Sequence, residues 1–212
     1  MSRVAGIVPA AGRSLRMGRS KALLDAGGGR TFLERACATL ARGGCAPVLV
    51  VLRDPHSPEA AIARRVGARV VANPDPDEGP VTSIRRALAS LSSAVAGVVI
   101  LPVDHPLVEA STVEELLAAF DADPATAAVV PTHEGQRGHP VVIGKALFPE
   151  VMEDELPEGL RTVLRRDPAR VREVPVDDPG VLIDLDTTEA IRRHLPSALP
   201  PGEDPVGGVD GP

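Results

Sequence analysis

The segment 7–24, IVPAAGRSLRMGRSKALL, contains the residues whose types and spacing best suit phosphate chemistry. An apolar run ends at Pro9, and small and basic residues follow it. Small side chains let backbone amides approach a ligand closely, and cations beside such amides suit a triphosphate. A solvated basic loop is the alternative, and the residues alone favour neither. The small residues are Ala10, Ala11 and Gly12, and the basic ones are Arg13, Arg16, Arg19 and Lys21.

A carboxylate at the end of a second apolar run is a candidate metal ligand. The residues 98–103 are apolar and lead directly to Asp104. In open α/β sheets, ligands bind at the carboxyl ends of the strands. A carboxylate there is a hard oxygen ligand that suits Mg²⁺. The alternative is that Asp104 only caps the turn that follows it.

Two further aspartates occur late in the chain. Asp184 and Asp186 lie two residues apart, so their side chains share one face if the predicted strand 181–184 continues. Asp186 could equally cap the last helix, with Glu189 completing a capping box. We favour that structural role for Asp186. Asp184 is therefore the second candidate metal ligand, with Asp186 in reserve.

The elements that must position these residues alternate between strand and helix patterns. This alternation predicts an α/β fold, a doubly wound and mostly parallel sheet between two helical layers. Capping boxes are predicted at the starts of two helices, at Thr31 with Glu34 and at Ser111 with Glu114. The predicted strands are 4–8, 48–52, 69–72, 98–101 and 128–130, and the predicted helices are 32–42, 59–66, 81–91 and 112–120.

The second part of the chain is predicted to extend the same sheet. Strands are expected at 141–143, 171–176 and 181–184, and helices at 145–151, 159–166 and 188–194. No linker of low complexity divides the two halves. We therefore expect one domain over residues 1–195, followed by a tail, 196–212, whose Pro and Gly content predicts no regular structure.

Composition excludes several classes of partner. The chain has three Phe, no Trp and no Tyr, and its formal net charge is −6. Both features disfavour nucleic acid, which proteins bind with aromatic platforms and clustered cations. No apolar stretch is long enough to cross a membrane. Cys37 and Cys45 have no metal-ligand spacing, and no signal peptide is evident, so we expect a cytoplasmic protein.

The basic loop closely resembles the AAGxSxRMGxxK signature of the molybdenum cofactor nucleotidyltransferase-like family, the MobA-like NTP transferases. This resemblance implies a three-layer nucleotidyltransferase fold of the glycosyltransferase-A-like type. The loop is neither a GxGxxG fingerprint nor a P-loop. The matching residues are Ala11, Gly12, Ser14, Arg16, Met17, Gly18 and Lys21.

The resemblance also implies roles for individual residues. Asp104 matches the metal-binding aspartate of a D-x-P element, and Asp184 matches the first aspartate of a D-x-D-T-P-x-D element, although Thr188 stands where Pro is usual. Lys21 and Arg16 would act on the reacting phosphates beside Asp104. The implied nucleotide-binding residues are Ala10, Ala11, Gly12, Arg13, Ser14, Asn73, Gly79 and Ser83.

A G-x-P element, in the segment GQRGHPVVI, lies beside the acceptor pocket in the resembled family. It implies acceptor-binding roles for Arg137 and His139, with a solvated surface hairpin as the alternative. The sequence also departs from the family, since Pro76 stands where Trp is common and His105 where Met is frequent. These departures concern packing around the nucleotide and the neighbour of Asp104.

The implied reaction is in-line attack by an acceptor phosphate on the α-phosphorus of an NTP, with Mg²⁺ as cofactor. Molybdopterin cytidylyltransferases resemble the chain most, because Ala11-Gly12 stands where the guanylyl branch usually has Gly-Gly. This favours CTP and a pterin phosphate. Transfer of UMP or GMP to a sugar 1-phosphate or a phosphorylated acid stays open. So does a molybdoenzyme-related protein partner, for which the sequence has no signature.

Two other classes of protein share some of these features. A nucleotide-sugar glycosyltransferase usually has a D-x-D after a central strand, whereas His105 and Pro106 follow Asp104. A non-catalytic nucleotide-binding regulator has less need of paired metal carboxylates. Release of pyrophosphate in the presence of Mg²⁺ separates a nucleotidyltransferase from both.

Overall fold

The apolar runs form one eight-stranded sheet in the computed structural model, which describes residues 3–12 and 20–198. Several strands are continuously buried, as expected for a sheet that is covered on both faces. The strands are β1 (Val4–Pro9), β2 (Val48–Leu52), β3 (Arg69–Ala72), β4 (Gly97–Ile100), β5 (Ala128–His133), β6 (Gln136–Arg137), β7 (Val141–Gly144) and β8 (Val171–Pro175).

The strand order is β3-β2-β1-β4-β7-β5-β6, and β8 also pairs with β5. The first four strands in this order are parallel to one another. Strand β7 then pairs antiparallel with both β4 and β5, whereas β8 runs parallel to β5. The prediction of a mostly parallel α/β sheet is confirmed, and β7 marks the change from the first half of the chain to the second.

In the described parts of the chain, seven α-helices connect or follow these strands. The prediction for 32–42 is confirmed to the residue, and the other helices of the first half begin or end one or two residues away from their predicted bounds. The helices are α1 (Phe32–Arg42), α2 (Pro58–Arg65), α3 (Pro80–Ala89), α4 (Ala110–Ala122), α5 (Phe148–Val151), α6 (Leu160–Arg166) and α7 (Thr188–His194).

Two separate hydrophobic cores make the three-layer architecture visible. Successive side chains of β2 alternate between them, since Val48, Val50 and Leu52 pack in one core and Leu49 and Val51 in the other. Helices α1, α2, α4 and α7 cover the first core, and α3, α5 and α6 cover the second. The sheet is thus sealed on both faces, which leaves its carboxyl edge as the place for a polar site.

One predicted helix start is confirmed and one is wrong. Thr31 and Glu34 form a reciprocal capping box at the start of α1. Ser111, in contrast, lies inside α4, whose N-cap is Glu109. A carboxylate from another part of the chain explains the difference, because Asp178 accepts hydrogen bonds from the Glu109 amide (2.9 Å) and the Thr112 hydroxyl (2.6 Å).

The end of the chain departs from the predictions in two places. The predicted strand 181–184 is wrong: Pro179–Leu182 is a 3₁₀ helix, with the Asp178 side chain accepting from the Gly180 amide. The predicted tail begins with a 3₁₀ turn, Pro196–Ala198, and Ala198 packs in the first core. Residues 199–212 of that tail lie outside the described residues. In the part of the chain that the structure describes, no helix has both the length and the apolar character that a membrane crossing requires.

Candidate active site

The loop after β4 brings Asp104 to the carboxyl edge of the sheet. Its backbone continues alongside β1, since the Leu101 amide donates to the Ile7 carbonyl (3.0 Å) and the Val103 amide to the Pro9 carbonyl (3.4 Å). Asp104 therefore lies beside the loop that follows β1, as the parallel pairing of these strands requires. It lines a cavity together with residues of that loop.

Leu185 brings the two late aspartates to the same place. Its side chain is fully buried in the first core, and its amide donates to the Asp104 carbonyl (2.9 Å). Asp184 and Asp186 flank it, and both line the cavity. The predicted shared face is therefore present, although this segment is not a strand.

The three carboxylates Asp104, Asp184 and Asp186 form a group suited to a divalent cation. Each offers one oxygen, and these atoms lie within 4.8 Å of one another. The Asp104 Oδ1 atom is buried and has no hydrogen-bond partner among the residues that the structure describes. Buried polar atoms are almost always paired, so this oxygen fits the position of a metal ligand. Hard oxygen donors of this kind suit Mg²⁺ or a similar ion.

The prediction that Asp186 caps the last helix is wrong. Thr187 is the N-cap of α7, and its side chain accepts from the Ala190 amide (3.1 Å). The Asp186 carboxylate instead pairs with the Lys21 ammonium. Because the Thr187 hydroxyl caps α7, the carboxylate of Asp186 is available to the cavity.

The crowding of carboxylates alters the ionisation of Asp184. Partial burial and the charge of Asp104 raise the pKa of the Asp184 carboxyl. The charges of His105 and Lys21 oppose that rise. A bound cation would relieve this repulsion, because opposite charge favours the ionised form.

The described part of the basic loop lies where the sequence predicted. Ala10, Ala11 and Gly12 line the cavity, and the Ala10 amide is held by the Val51 carbonyl (2.9 Å). Lys21 opens a short 3₁₀ helix, Lys21–Leu23, which buries its central residue. The predicted nucleotide-binding and catalytic residues Arg13, Ser14 and Arg16 lie outside the described residues.

The segment before α3 contributes the opposite wall of the cavity, where Gly79 and Ser83 are lining residues. Gly79 has φ 112° and ψ 164°, a conformation that essentially only glycine adopts. Asn73 is not a lining residue. It is 1% exposed, and its side-chain amide donates to the hydroxyls of Thr82 (2.9 Å) and Ser83 (3.0 Å). Asn73 thus fixes the start of α3 from behind the cavity wall.

Two imidazoles lie next to the carboxylates. His105 and His139 are in contact, with ring centroids 4.6 Å apart, and both line the cavity. Burial lowers the pKa of His139 to about 4, reinforced by the charge of His105. Burial also lowers the pKa of His105, against the charge of Asp184. Both shifts favour the neutral form of the imidazole, so these two rings add polar groups to the cavity beside the charged aspartates.

Arg137, the other predicted acceptor residue, is elsewhere. Its guanidinium donates twice to Glu173 Oε1, from Nε (2.8 Å) and Nη2 (2.6 Å), and it is not among the described residues that line the cavity. The segment 156–161 matches no motif in the sequence analysis, but it lines the cavity and brings Arg161 to it. Asp186 could have been found from its position two residues after Asp184, on the other side of an apolar residue.

The fold and these residues together define a nucleotidyltransferase-type α/β domain. Residues 6–172 match the model of the MobA-like NTP transferase domain. The chain therefore belongs to the MobA-like NTP transferase family, and the resemblance of its basic loop is confirmed.

The similar proteins are named for different activities. The chain is 32% identical over 197 residues, 91% of its length and 96% of the relative's, to a protein of Paenarthrobacter nicotinovorans named nicotine blue oxidoreductase. It is 37% identical over 113 residues to a molybdenum cofactor guanylyltransferase of Xanthomonas euvesicatoria, which covers 53% of each chain. The chain thus spans about half the length of that transferase.

A solved structure from Mycobacterium tuberculosis H37Rv is similar over nearly the whole chain. Rv0371c is 28% identical with a TM-score of 0.74, covering 91% of this chain and 97% of its own. A second structure of Rv0371c is a complex with manganese. A divalent metal therefore binds to a protein of this fold and similar sequence.

Proposed function

We propose that this protein transfers a nucleoside monophosphate from an NTP, with CTP favoured, to a small phosphorylated acceptor such as molybdopterin, and releases pyrophosphate. The observation that carries the proposal is the convergence of Asp104, Asp184 and Asp186 with Lys21 in one cavity. Three acidic groups from two distant segments and a cation from a third suit a polyphosphate and its metal ion.

The three aspartates would hold Mg²⁺. The buried Asp104 Oδ1 atom, which has no partner within residues 3–12 and 20–198, supports this assignment, as does the raised pKa of Asp184 beside it. When bound, the ion would neutralise charge on phosphate oxygens, which otherwise repel an anionic acceptor.

The chain's own residues align two anions. An oxygen of the acceptor phosphate attacks the α-phosphorus, and the bond from that phosphorus to the bridging oxygen breaks. Pyrophosphate leaves with the electron pair. The acceptor oxygen is already ionised at neutral pH, so no general base is required. Alignment and charge neutralisation supply the catalysis, with Lys21 on the reacting phosphate and, from the resemblance, Arg16 on the pyrophosphate.

In this proposal the nucleotide lies between two walls of the cavity. On one side, Ala10, Ala11 and Gly12 present backbone and small side chains, and on the other Gly79 and Ser83 begin helix α3. CTP is favoured because of the Ala11-Gly12 pair. GTP and UTP remain alternatives, and the guanylyltransferase relative is the reason to test GTP beside CTP.

A redox function is a second candidate, because the relative aligned over 91% of this chain is named an oxidoreductase. A hydride transfer from a reduced nicotinamide would leave the three carboxylates without a use. Oxidation of a reduced nicotinamide, with no pyrophosphate released from any NTP, would favour this candidate over transfer.

The experiment measures pyrophosphate release with Mg²⁺, molybdopterin and each NTP in turn. We expect release with CTP above the other nucleotides. Asp104→Ala and Lys21→Ala should each abolish it, while Lys145→Ala, a lysine outside the cavity, leaves it unchanged. Turnover close to normal in either of the first two variants rules out the proposed mechanism.

A further inference from the structure

Arg161 lies in the first turn of α6 and lines the same cavity as Asp104 and Lys21. We propose that Arg161 binds the phosphate of the acceptor. This assignment rests on the nucleotidyltransferase function proposed above and names the residue that would select an anionic acceptor. It replaces Arg137, which the sequence had suggested for that role.

The charges of the cavity are the first argument. Among the described residues that line it, the cations are Lys21 and Arg161. Lys21 pairs with Asp186, and the nearby carboxylate of Glu158 pairs with Arg165. Within the described residues, no hydrogen bond or ion pair engages the Arg161 guanidinium. One divalent ion and Lys21 offset the charges of the three aspartates and leave none for an anionic acceptor, so its phosphate needs Arg161.

The neighbours of Arg161 place it on the acceptor side. Its charge lowers the pKa of His139, whose ring contacts His105 and also responds to the charge of Asp104. Arg161, His139 and Asp104 all line this cavity. The basic residues of segment 13–19 belong, by the family resemblance, to the NTP. Arg161 comes from a different element, α6, and this leaves it for the acceptor.

The backbone fixes Arg161 in this position. Gly159 has φ 58° and ψ −133° at the N-cap of α6, a turn that favours glycine. Val163 and Leu164 then bury the helix in the second core. The apolar residues Leu156 and Leu160 line the cavity beside Arg161. The predicted acceptor thus combines a phosphate with an apolar portion.

Arg137 does not compete for this role in the structure. Glu173 already accepts two hydrogen bonds from its guanidinium, and both side chains are about half exposed. Recruiting Arg137 would require that pair to break and the β6 hairpin to move.

The test uses inorganic phosphate as a probe of the acceptor site. Phosphate is titrated by calorimetry into the full chain saturated with Mg²⁺ and a non-hydrolysable CTP analogue. We expect Arg161→Ala to weaken phosphate binding by about 10- to 100-fold, the effect of losing a hydrogen bond to a charged group. Arg161→Lys should recover part of the loss. Arg86→Ala, which removes an exposed arginine of α3 outside the cavity, and Arg137→Ala should bind as the wild type does.

A second measurement separates this inference from the proposed function. With molybdopterin as acceptor, Arg161→Ala should raise the KM for molybdopterin and leave the KM for CTP unchanged. The role of Arg161 is overturned if the wild type and Arg161→Ala bind phosphate equally and have the same melting temperature. This holds whether or not transfer occurs. A raised KM for CTP instead, or a loss confined to Arg137→Ala, also overturns it. Wild-type protein that binds phosphate through Arg161 but releases no pyrophosphate contradicts the proposed function alone.

Discussion

Asp104 and Asp178 are two acidic residues on neighbouring loops, and they differ in how many hydrogen bonds their carboxylates accept. Asp178 is 4% exposed and accepts from the Glu109 amide, the Thr112 hydroxyl and the Gly180 amide. Asp104 has a buried oxygen that no described residue engages in a hydrogen bond. A buried carboxylate with all its donors supplied stabilises the fold, whereas one left unsupplied costs stability and points to a ligand. This contrast assigns Asp178 to the stability of the fold and Asp104 to the candidate site.

The largest expected effect separates the two aspartates by activity. Asp104→Asn should lower transfer by roughly 10³-fold, or about 4 kcal/mol of transition-state stabilisation, because an electrostatic contact to the reacting phosphates is lost. The melting temperature should not fall, since no hydrogen bond within the described residues depends on Asp104 Oδ1. Pyrophosphate release and thermal melting on the same samples check both parts. A variant that melts much earlier would make Asp104 a structural residue like Asp178.

The next effect is on stability. Asp178→Ala should lower the free energy of unfolding by about 3 kcal/mol, because two buried donors and the part-buried Glu109 amide lose a charged acceptor. Urea unfolding measures the loss, with Asp177→Ala, its exposed neighbour, as a control expected within about 0.5 kcal/mol of the wild type. Should Asp178→Ala unfold like the control, hydrogen bonding would not distinguish the two loops.

The same contrast explains what the sequence could predict. Strand and helix patterns are local, and they placed β1, β2, β4 and α1 correctly. The start of α4 was missed because its capping acceptor, Asp178, lies 69 residues away from Glu109 in the chain. No window of sequence contains both partners of such a hydrogen bond.

The candidate site was predictable only in part, for a similar reason. Asp104 and Asp184 follow apolar segments, and both reach the cavity as predicted. Asp186 was assigned to a helix cap because the Leu185 anchor and the Lys21 partner are tertiary contacts. Arg161 follows no motif, and only the packing of α6 on the second core brings it to the cavity.

A smaller effect is expected at Asn73, which stabilises the start of α3 without lining the cavity. Asn73→Ala should cost about 1–2 kcal/mol of unfolding free energy, because the hydroxyls of Thr82 and Ser83 lose a buried donor. Urea unfolding checks this, and a CTP titration runs beside it. Unchanged stability with a large loss of CTP affinity would restore the direct nucleotide contact that the family resemblance implied.

The smallest effect concerns the repulsion among the carboxylates. Because the pKa of Asp184 is raised, the folded protein binds the proton of this carboxyl more tightly than the unfolded chain does. Metal-free protein therefore loses stability as the pH rises from the ordinary aspartate pKa through the raised pKa of Asp184. Asp184→Asn should therefore raise the melting temperature of metal-free protein at neutral pH. The gain should vanish as the pH falls towards the ordinary aspartate value of 3.8. A lower melting temperature at neutral pH, in the presence of a chelator, would contradict this account.

In the proposed function, Asp104 and its two acidic neighbours hold a divalent cation together with the NTP. Electron paramagnetic resonance can count free Mn²⁺ directly in a titration of the protein with CTP present, which requires no acceptor. We expect the wild type to bind Mn²⁺, and Asp104→Asn to bind it at least about tenfold more weakly, since perturbing even the outer contacts of a metal site has effects of that size. Equal Mn²⁺ affinity in the two proteins, both folded and both saturated with CTP, would contradict the claim.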